Sequence, residues 1–523
     1  MAAARSRKSL RWIVALIAVA VIVAFATSKY LGDNQPTEPA DTPPALVATP
    51  PAANAPEPTP EEDAAEEPLP DLESLGNLDA DKPPARRKLD LQHWTTQQGA
   101  RVYFMQADEL PMLDVQMLFA AGASRDGEQP GLATLANAML NEGTGDKDAG
   151  DIAAGFERLG AQFSNSSHRD MALTSLRSLT AADKLDPALA LFADVVSEPS
   201  FPDDAFERLR NQLLASLRYR LQRPAALASE AFWARLYPDH PYGSLPEGTA
   251  ESLQQITPDQ LRAFHQQFYS AGNAVIAMVG AIDRQQAERI AQRLADALPQ
   301  GPAAPTTPEA EPVELQPTHI PFAAQQTHIL VGQRGISRHD PDYAALYVGN
   351  EILGGSGFGS RLMEEIREKR GLSYSVGSSL IPMQAPGPFM ISMQTRADQV
   401  EQALKVINTS LDEFIEQGPS EADLERSKRQ IMGQFPLSTA SNSAIVGQLG
   451  AIGFYGLPLN HMQLFMDRIQ ALTAEQVREA FARHFGTGQR LVVTVGPVLE
   501  EAETDQVEID TETAPGVPEE TTP

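Results

Sequence analysis

ITPDQLRAFHQQFY, residues 256–269, and LTAEQVREAFARHF, residues 472–485, read as one helix written twice. Ile256 matches Leu472, Thr257 matches Thr473, Gln260 matches Gln476 and Arg262 matches Arg478, all at an offset of 216 positions. Each stretch precedes a β-rich run ended by glycine, NAVIAMVG and then RLVVTVG, with Val279-Gly280 matching Val495-Gly496 at the same offset. FERLRNQLL (206–214) matches LERSKRQIM (424–432) at an offset of 218. Two independent matches at nearly one offset define an internal repeat. Thr257 and Thr473 read as N-caps, each before an acidic first turn.

Working outward, DKLDPALALFADVVSEP and ADQVEQALKVINTSLDEFIEQG carry apolar residues at helical spacing, while MALTSLRSL and GPFMISMQT read as strands. Each half is therefore α+β. The expected fold is two similar α+β halves, residues 88–300 and 313–498, facing each other across a cavity. The Pro-rich stretch GPAAPTTPEAEP, residues 301–312, links them.

The flanks are of another kind. Arg5, Arg7, Lys8 and Arg11 precede the apolar run WIVALIAVAVIVAFAT, residues 12–27. This is the pattern of a membrane anchor or, with Ala24-Phe25-Ala26 as cleavage site, of a secretory signal. The basic flank puts the N-terminus inside and the bulk of the chain outside the cytoplasmic membrane, held by a single-pass anchor at residues 1–32 or released to the periplasm after cleavage. Residues 33–81 hold 13 acidic and no basic residues among many Pro and Ala, and residues 33–87 read as a solvated linker. Residues 499–523 hold 9 acidic and no basic residues and read as a disordered tail. These segments carry 22 of the 28 net negative charges. The folded part is only mildly acidic, which argues against a nucleic-acid partner. The chain has no cysteine, so no disulfide framework is available.

The motif AAGASRDGEQPGLATLANAMLNEGTG, followed in order by FERLGAQFSNSSHRD, DHPYGSLPEGTAESLQQIT, NAVIAMVGAID and LGGSGFGSRLMEEIREKRGLSYSVGSS, resembles the insulinase/pitrilysin-type zinc peptidases, which include the mitochondrial processing peptidases. The resemblance covers nearly all of residues 90–497. It implies a zinc site of the form H-x-x-E-H on a helix, two imidazoles on one face with a glutamate as general base between them. In GLATLANAML the two histidine positions hold Ala133 and Asn137, and the glutamate position holds Ala136. A third ligand, a glutamate, normally lies in a later helix, here FERLRNQLLASL, where the matching positions hold Leu209 and Ser216. Methyl groups do not bind zinc and a neutral amide is a poor ligand. Glu142 and Glu207 lie nearby in sequence but make no site alone. Among the nine histidines no two are four apart; His240 reads as a packed loop residue, and His265 and His484 as packing or solvent-facing. Ser166-Ser167-His168 lacks a nucleophile elbow, and GGSGFGS lacks the Walker lysine and reads as a loop between helices.

The resemblance also implies a second set of groups. Arg367 and Tyr374 in IREKRGLSYSV stand seven apart, as do an arginine and a tyrosine that in the family reach a zinc site from the second half, bind the substrate backbone and stabilise the oxyanion. Arg370 is the neighbouring alternative to Arg367. With the zinc side missing and the donor side kept, the expectation is a subunit without metal or cofactor of its own. It pairs with a zinc-binding homologous peptidase subunit, acts on a peptide or unfolded protein, and sits on the inner membrane through its N-terminal helix. The competing class is a non-enzymatic peptide-binding or structural assembly protein of the same fold.

Overall fold

The computed structural model describes residues 89–355, 359–486 and 488–498. All of them belong to one compact unit, Lys82–Pro523. The expected anchor, acidic linker and acidic tail, and part of the GGSGFGS loop, lie outside the described residues. Among the described residues no helix is long and apolar enough to cross a membrane.

In the first half the strands are β1 (Gln92–Thr95), β2 (Arg101–Gln106), β3 (Met112–Phe119), the short hairpin β4 (Gly143–Thr144) and β5 (Lys147–Asp148), β6 (Gln162–Ser167), β7 (Ala172–Leu179) and β8 (Ala274–Gly280). The second half holds β9 (Thr318–Pro321), β10 (Gln326–Arg334), β11 (Val376–Leu380), β12 (Pro388–Arg396) and β13 (Leu491–Gly496). One sheet runs β1-β2-β8-β3-β7-β6, the other β11-β12-β10-β13-β9. Read from its other edge, the second sheet repeats β2-β8-β3-β7-β6 strand for strand. Even the single parallel pair recurs, β2 with β8 and β9 with β13. Within the large sheet the extra strand is β1, antiparallel to β2.

The repeat holds at single residues. Thr257 and Thr473 each close a capping box, with Gln260 and Gln476 as the returning partners. Gly280 ends β8 and Gly496 ends β13, where a Cβ would lie 2.2 Å from Met112 O or 2.4 Å from Thr327 Oγ1.

Each sheet is buried on both faces. In β8 every residue is buried. Ala274, Ile276 and Met278 join the core under the first half's own helices, whereas Val275, Ala277 and Val279 point the other way. What covers that other face comes from the second half: the helix Asn442–Tyr455, through Ile445, Leu449 and Ile452. The exchange is reciprocal. The helix Pro224–Leu236 of the first half covers Leu491, Val493 and Val495 of β13 with Ala228, Phe232 and Leu236. Pro224 and Asn442 are 218 positions apart, so the exchanged helices are themselves repeat equivalents. Over this interface the halves meet through packed helices and not across open space.

A polar latch adds to the clasp. Asp170, buried in the first half, accepts from the Tyr242 hydroxyl at 2.7 Å and from the Gln384 backbone N–H of the second half at 2.9 Å. The Tyr242 oxygen in turn accepts from Ala385 N–H at 3.1 Å. The Pro-rich connection is pinned along its length: Arg125 donates to Pro305 O, His240 Nε2 to Pro308 O and Arg334 to Ala310 O, while Thr307 bonds the Gln384 side chain.

Candidate peptidase-like site

GLATLANAML forms a short helix, Leu132–Ala138. Its N-cap, Gly131, has φ +98°, which glycine adopts without strain, and a Cβ there would press on Gly248 Cα at 3.0 Å. Asp126 supplies what the cap lacks. Its carboxylate accepts from Gly131 N–H at 2.8 Å and Ala133 N–H at 2.7 Å. Burial pushes this carboxyl up to about 7, against the pull of those two donors. Thr134 Oγ1 donates to Pro246 O, and Ser252 Oγ to Pro130 O, fixing the helix against the 246–252 turn.

The three positions where the resemblance implies zinc chemistry share one helix face, and all are buried: Ala133 and Ala136 fully, Asn137 nearly so. The Asn137 side-chain amide donates to the Tyr269 hydroxyl oxygen at 3.2 Å, inside the core. Burial holds the Tyr269 phenol far above its ordinary pKa, so it stays neutral and serves as a packing group. Leu209 is half-buried against the same core, and Ser216, seven residues on, is exposed. Both nearby carboxylates are spoken for: Glu142 is paired with Arg208, and Glu207 with Arg210 at 2.5 Å. The residues here do not fit zinc. Two methyls, a hydrogen-bonded amide and a leucine stand where imidazole nitrogens and carboxylate oxygens are required.

Among the described residues Asp340, Asp342 and His484 bring metal-competent atoms within 4.8 Å of one another. Asp342 already receives Arg483 Nε and Nη2 at 2.9 and 3.0 Å, and touches His484 Nε2 at 3.0 Å. Burial works against the charge, but Arg483 and His484 outweigh it and hold the carboxyl below its usual range. This is an ion-pair network in which Arg483 already occupies both Asp342 oxygens. Two further histidines have structural places. His240 is buried, with Nε2 on Pro308 O and Nδ1 accepting from Tyr242 N–H. His265 is buried and bonds Val196 O.

The second half shows the opposite character. Arg367 lies on Met363–Glu368, a helical stretch wound wider than an α-helix. The chain leaves it through Gly371, φ +61°, whose N–H bonds Arg367 O, and Leu372 N–H bonds Ile366 O. Thr395 Oγ1 donates to Leu372 O at 2.6 Å, and Ser373 Oγ to Ser375 O at 2.7 Å. This braced turn presents Tyr374 outward, 66% exposed, with the Arg367 guanidinium carbon 4.8 Å from its ring centroid. Arg370 is taken by Glu365, bonding its carboxylate at 2.6 Å and its carbonyl at 2.7 Å. The structure thus brings together Arg367 and Tyr374, and not Arg370.

Comparison with known proteins identifies the family. Residues 104–247 match the model of insulinase (peptidase family M16), and residues 255–431 match that of the peptidase M16 inactive domain. A solved peptidase M16 inactive domain from Pseudomonas fluorescens is 50% identical, with a TM-score of 0.77 over 79% of this chain and 98% of that one. The non-peptidase homolog YmxG of Helicobacter pylori is 29% identical over 72% of this chain and 87% of its own. An uncharacterized zinc protease of Streptomyces coelicolor is 26% identical over 69% and 79% respectively. The chain belongs to the insulinase family of M16 peptidases, and is a catalytically incomplete member of it.

Proposed function

We propose that this chain is the metal-free subunit of a heteromeric M16 peptidase, pairing with a homologue that carries an intact H-x-x-E-H. The observation that carries this reading is the contrast between two surfaces. The vestigial zinc face of Leu132–Ala138 is sealed in the core, while Tyr374 and Arg367 stand braced and outward. A guanidinium and a phenol offer fixed donors to the negative charge that develops at a scissile carbonyl, and here they serve a site on another chain. Zinc and the general base belong to the partner, and the peptide chamber is completed between the two subunits. The basic flank and apolar run of residues 5–27 hold the assembly on the outer side of the cytoplasmic membrane, with the acidic linker spacing the body from it.

The test is co-purification of the full chain from native membranes at physiological salt. The reading expects a second M16 chain with H-x-x-E-H in stoichiometric amount, and peptide cleavage by the pair that neither chain shows alone. A full chain that purifies alone, with no M16 partner, contradicts it. That result favours a peptide-holding or structural role, in keeping with the word non-peptidase borne by the Helicobacter pylori relative.

A further inference from the structure

The helix Asp203–Arg220 ends in an unusual tip. Arg218-Tyr219-Arg220-Leu221-Gln222-Arg223 places three arginines around two large apolar side chains, Tyr219 at 64% and Leu221 at 62% exposure. Arg218 and Arg223 are exposed and, among the described residues, form no ion pair. Arg220 has only a distant partner, Glu247 at 3.6 Å. The fold does not demand this chemistry. The repeat-equivalent stretch PLSTASN, residues 436–442, also exposes a large apolar side chain, Leu437 at 72%, yet carries no charge at all. A cationic, apolar tip on a chain of net charge −28 is a local exception, and it calls for an anionic occupant with some apolar character.

We propose that the occupant is the chain's own C-terminal segment, residues 499–512. LEEAETDQVEIDTE holds seven carboxylates with Val507 and Ile509 between them, and no basic residue. The place where it begins fits as well. Strand β13 is the last described element, and it lies under the helix Pro224–Leu236, which starts directly after the tip. Arg334 bonds Leu236 O, and Gly332, two residues before it, pairs with Leu491, so the start of β13 lies at the Leu236 end of that helix. The far end of β13, Val495 paired with His328, therefore points toward Pro224 and the arginines. Ten residues of random coil would span roughly 17 Å, from about 5–6 Å times the square root of the length, which sets the reach from Val498. Tethering at that range gives an effective concentration of about millimolar, which lets individually weak surface ion pairs hold a segment in place. The tip closes the helix that carries Leu209 and Ser216, so the docked segment would lie on the end of that helix.

The chain has no native cysteine, so Gln222→Cys with Val507→Cys in the full chain gives two unique spin-label sites. Pulsed dipolar spectroscopy should show a short-distance population. That population should fall by about threefold or more between ~0.1 M and ~1 M salt, over which the screening length shrinks from roughly 10 to 3 Å. It should also vanish in Arg218→Glu, Arg223→Glu, with circular dichroism unchanged, and equally when the seven carboxylates of residues 500–512 are replaced by amides. A broad distribution indifferent to salt and to both variants overturns the proposal. So does a short distance that survives charge reversal, or dipolar coupling between singly labelled chains, which places the segment on a second copy.

Discussion

Gly453, on the exchanged helix of the second half, lies so close to Val275 on β8 that a Cβ added to it would sit 2.5 Å from Val275 Cγ1 and 2.6 Å from the Tyr103 ring. The same helix carries Gly450, where a Cβ would meet Leu118 at 2.8 Å, and Gly447, where it would meet nothing within 4 Å. Glycine disfavours helix, so its presence at 450 and 453 is explained by contact distance and at 447 is not. Gly453→Ala should destabilise the protein by about 1–3 kcal/mol through overpacking. Gly447→Ala should stabilise it by roughly 0.5–1 kcal/mol through helix propensity alone. Chemical denaturation of the two variants checks the sign of each. Equal effects would mean that this helix does not press on the first sheet.

Tyr242→Phe removes one hydroxyl that both donates to Asp170 and accepts from Ala385 N–H. Asp170 is buried, and its carboxyl is pushed up by burial, with the Gln384 donor, Tyr242, Arg125 and Arg169 pulling the other way. Losing the hydroxyl leaves a buried acceptor and a buried donor short of partners, at a cost of about 1–3 kcal/mol. Because the latch joins loops of the two halves, amide hydrogen exchange should rise at residues 383–386 as well as near 170. A rise confined to the first half would show that the latch does not join them.

Acid should weaken the protein in a way that His265 reports. Burial lowers the pKa of His168, His265 and His461, the last to about 4 with help from Arg338, Arg468 and His339. For such groups the unfolded chain takes up protons first. Their contribution is complete above the unfolded value near 6.5 and is lost as pH falls from there toward the folded values. His265 Nε2 bonds Val196 O, and its ring stacks on Tyr269 at 4.9 Å. His265→Phe keeps a ring of similar size but cannot titrate. The wild type should therefore lose more Tm between pH 7 and pH 5 than the variant does. Asp126, pushed the opposite way to about 7, acts in both chains and cancels in the comparison. Parallel pH profiles would deny His265 a role.

Zinc titration of the purified chain should find no tight site on Leu132–Ala138. Any weak binding should disappear in His484→Ala, which removes the imidazole of the Asp340, Asp342, His484 group. A tight zinc lost on Asn137→Ala instead would overturn the assignment of that helix as metal-free.

The repeat was legible because it was written in identities at fixed spacing. Thr257 with Gln260 and Thr473 with Gln476 read as equivalent from sequence and turned out to be equivalent caps. The loss of ligands was legible for the same reason, since Ala133, Ala136 and Asn137 announce their chemistry by type. The exchange of Pro224–Leu236 and Asn442–Tyr455 was not legible. Apolar patterning shows that a face will be covered, not which sheet covers it, and Asn442–Tyr455 is apolar on nearly every side. The expected cavity between the halves overlooked this exchange. Asp126 was not legible as a cap because it acts across the four residues 127–130 and not from the N-cap position. Spacing alone left Arg367 and Arg370 open, since both lie within one turn; Glu365, by holding Arg370, separates them.

The role proposed for Arg367 and Tyr374 is to complete the active site of another chain. The most direct test is turnover of a peptide by this chain reconstituted with its zinc-bearing homologue, with wild type and the Arg367→Ala, Tyr374→Phe double variant compared at equal assembly by size. Donors aimed at a developing oxyanion contribute on the order of 10²–10³-fold each, so kcat should fall at least that far in the double variant while the complex stays intact. Tyr374→Phe alone keeps the ring against Arg367 and should already fall most of the way. Turnover within a factor of about two of wild type in an intact complex would contradict the claim, since removing even one such donor costs on the order of 10²-fold.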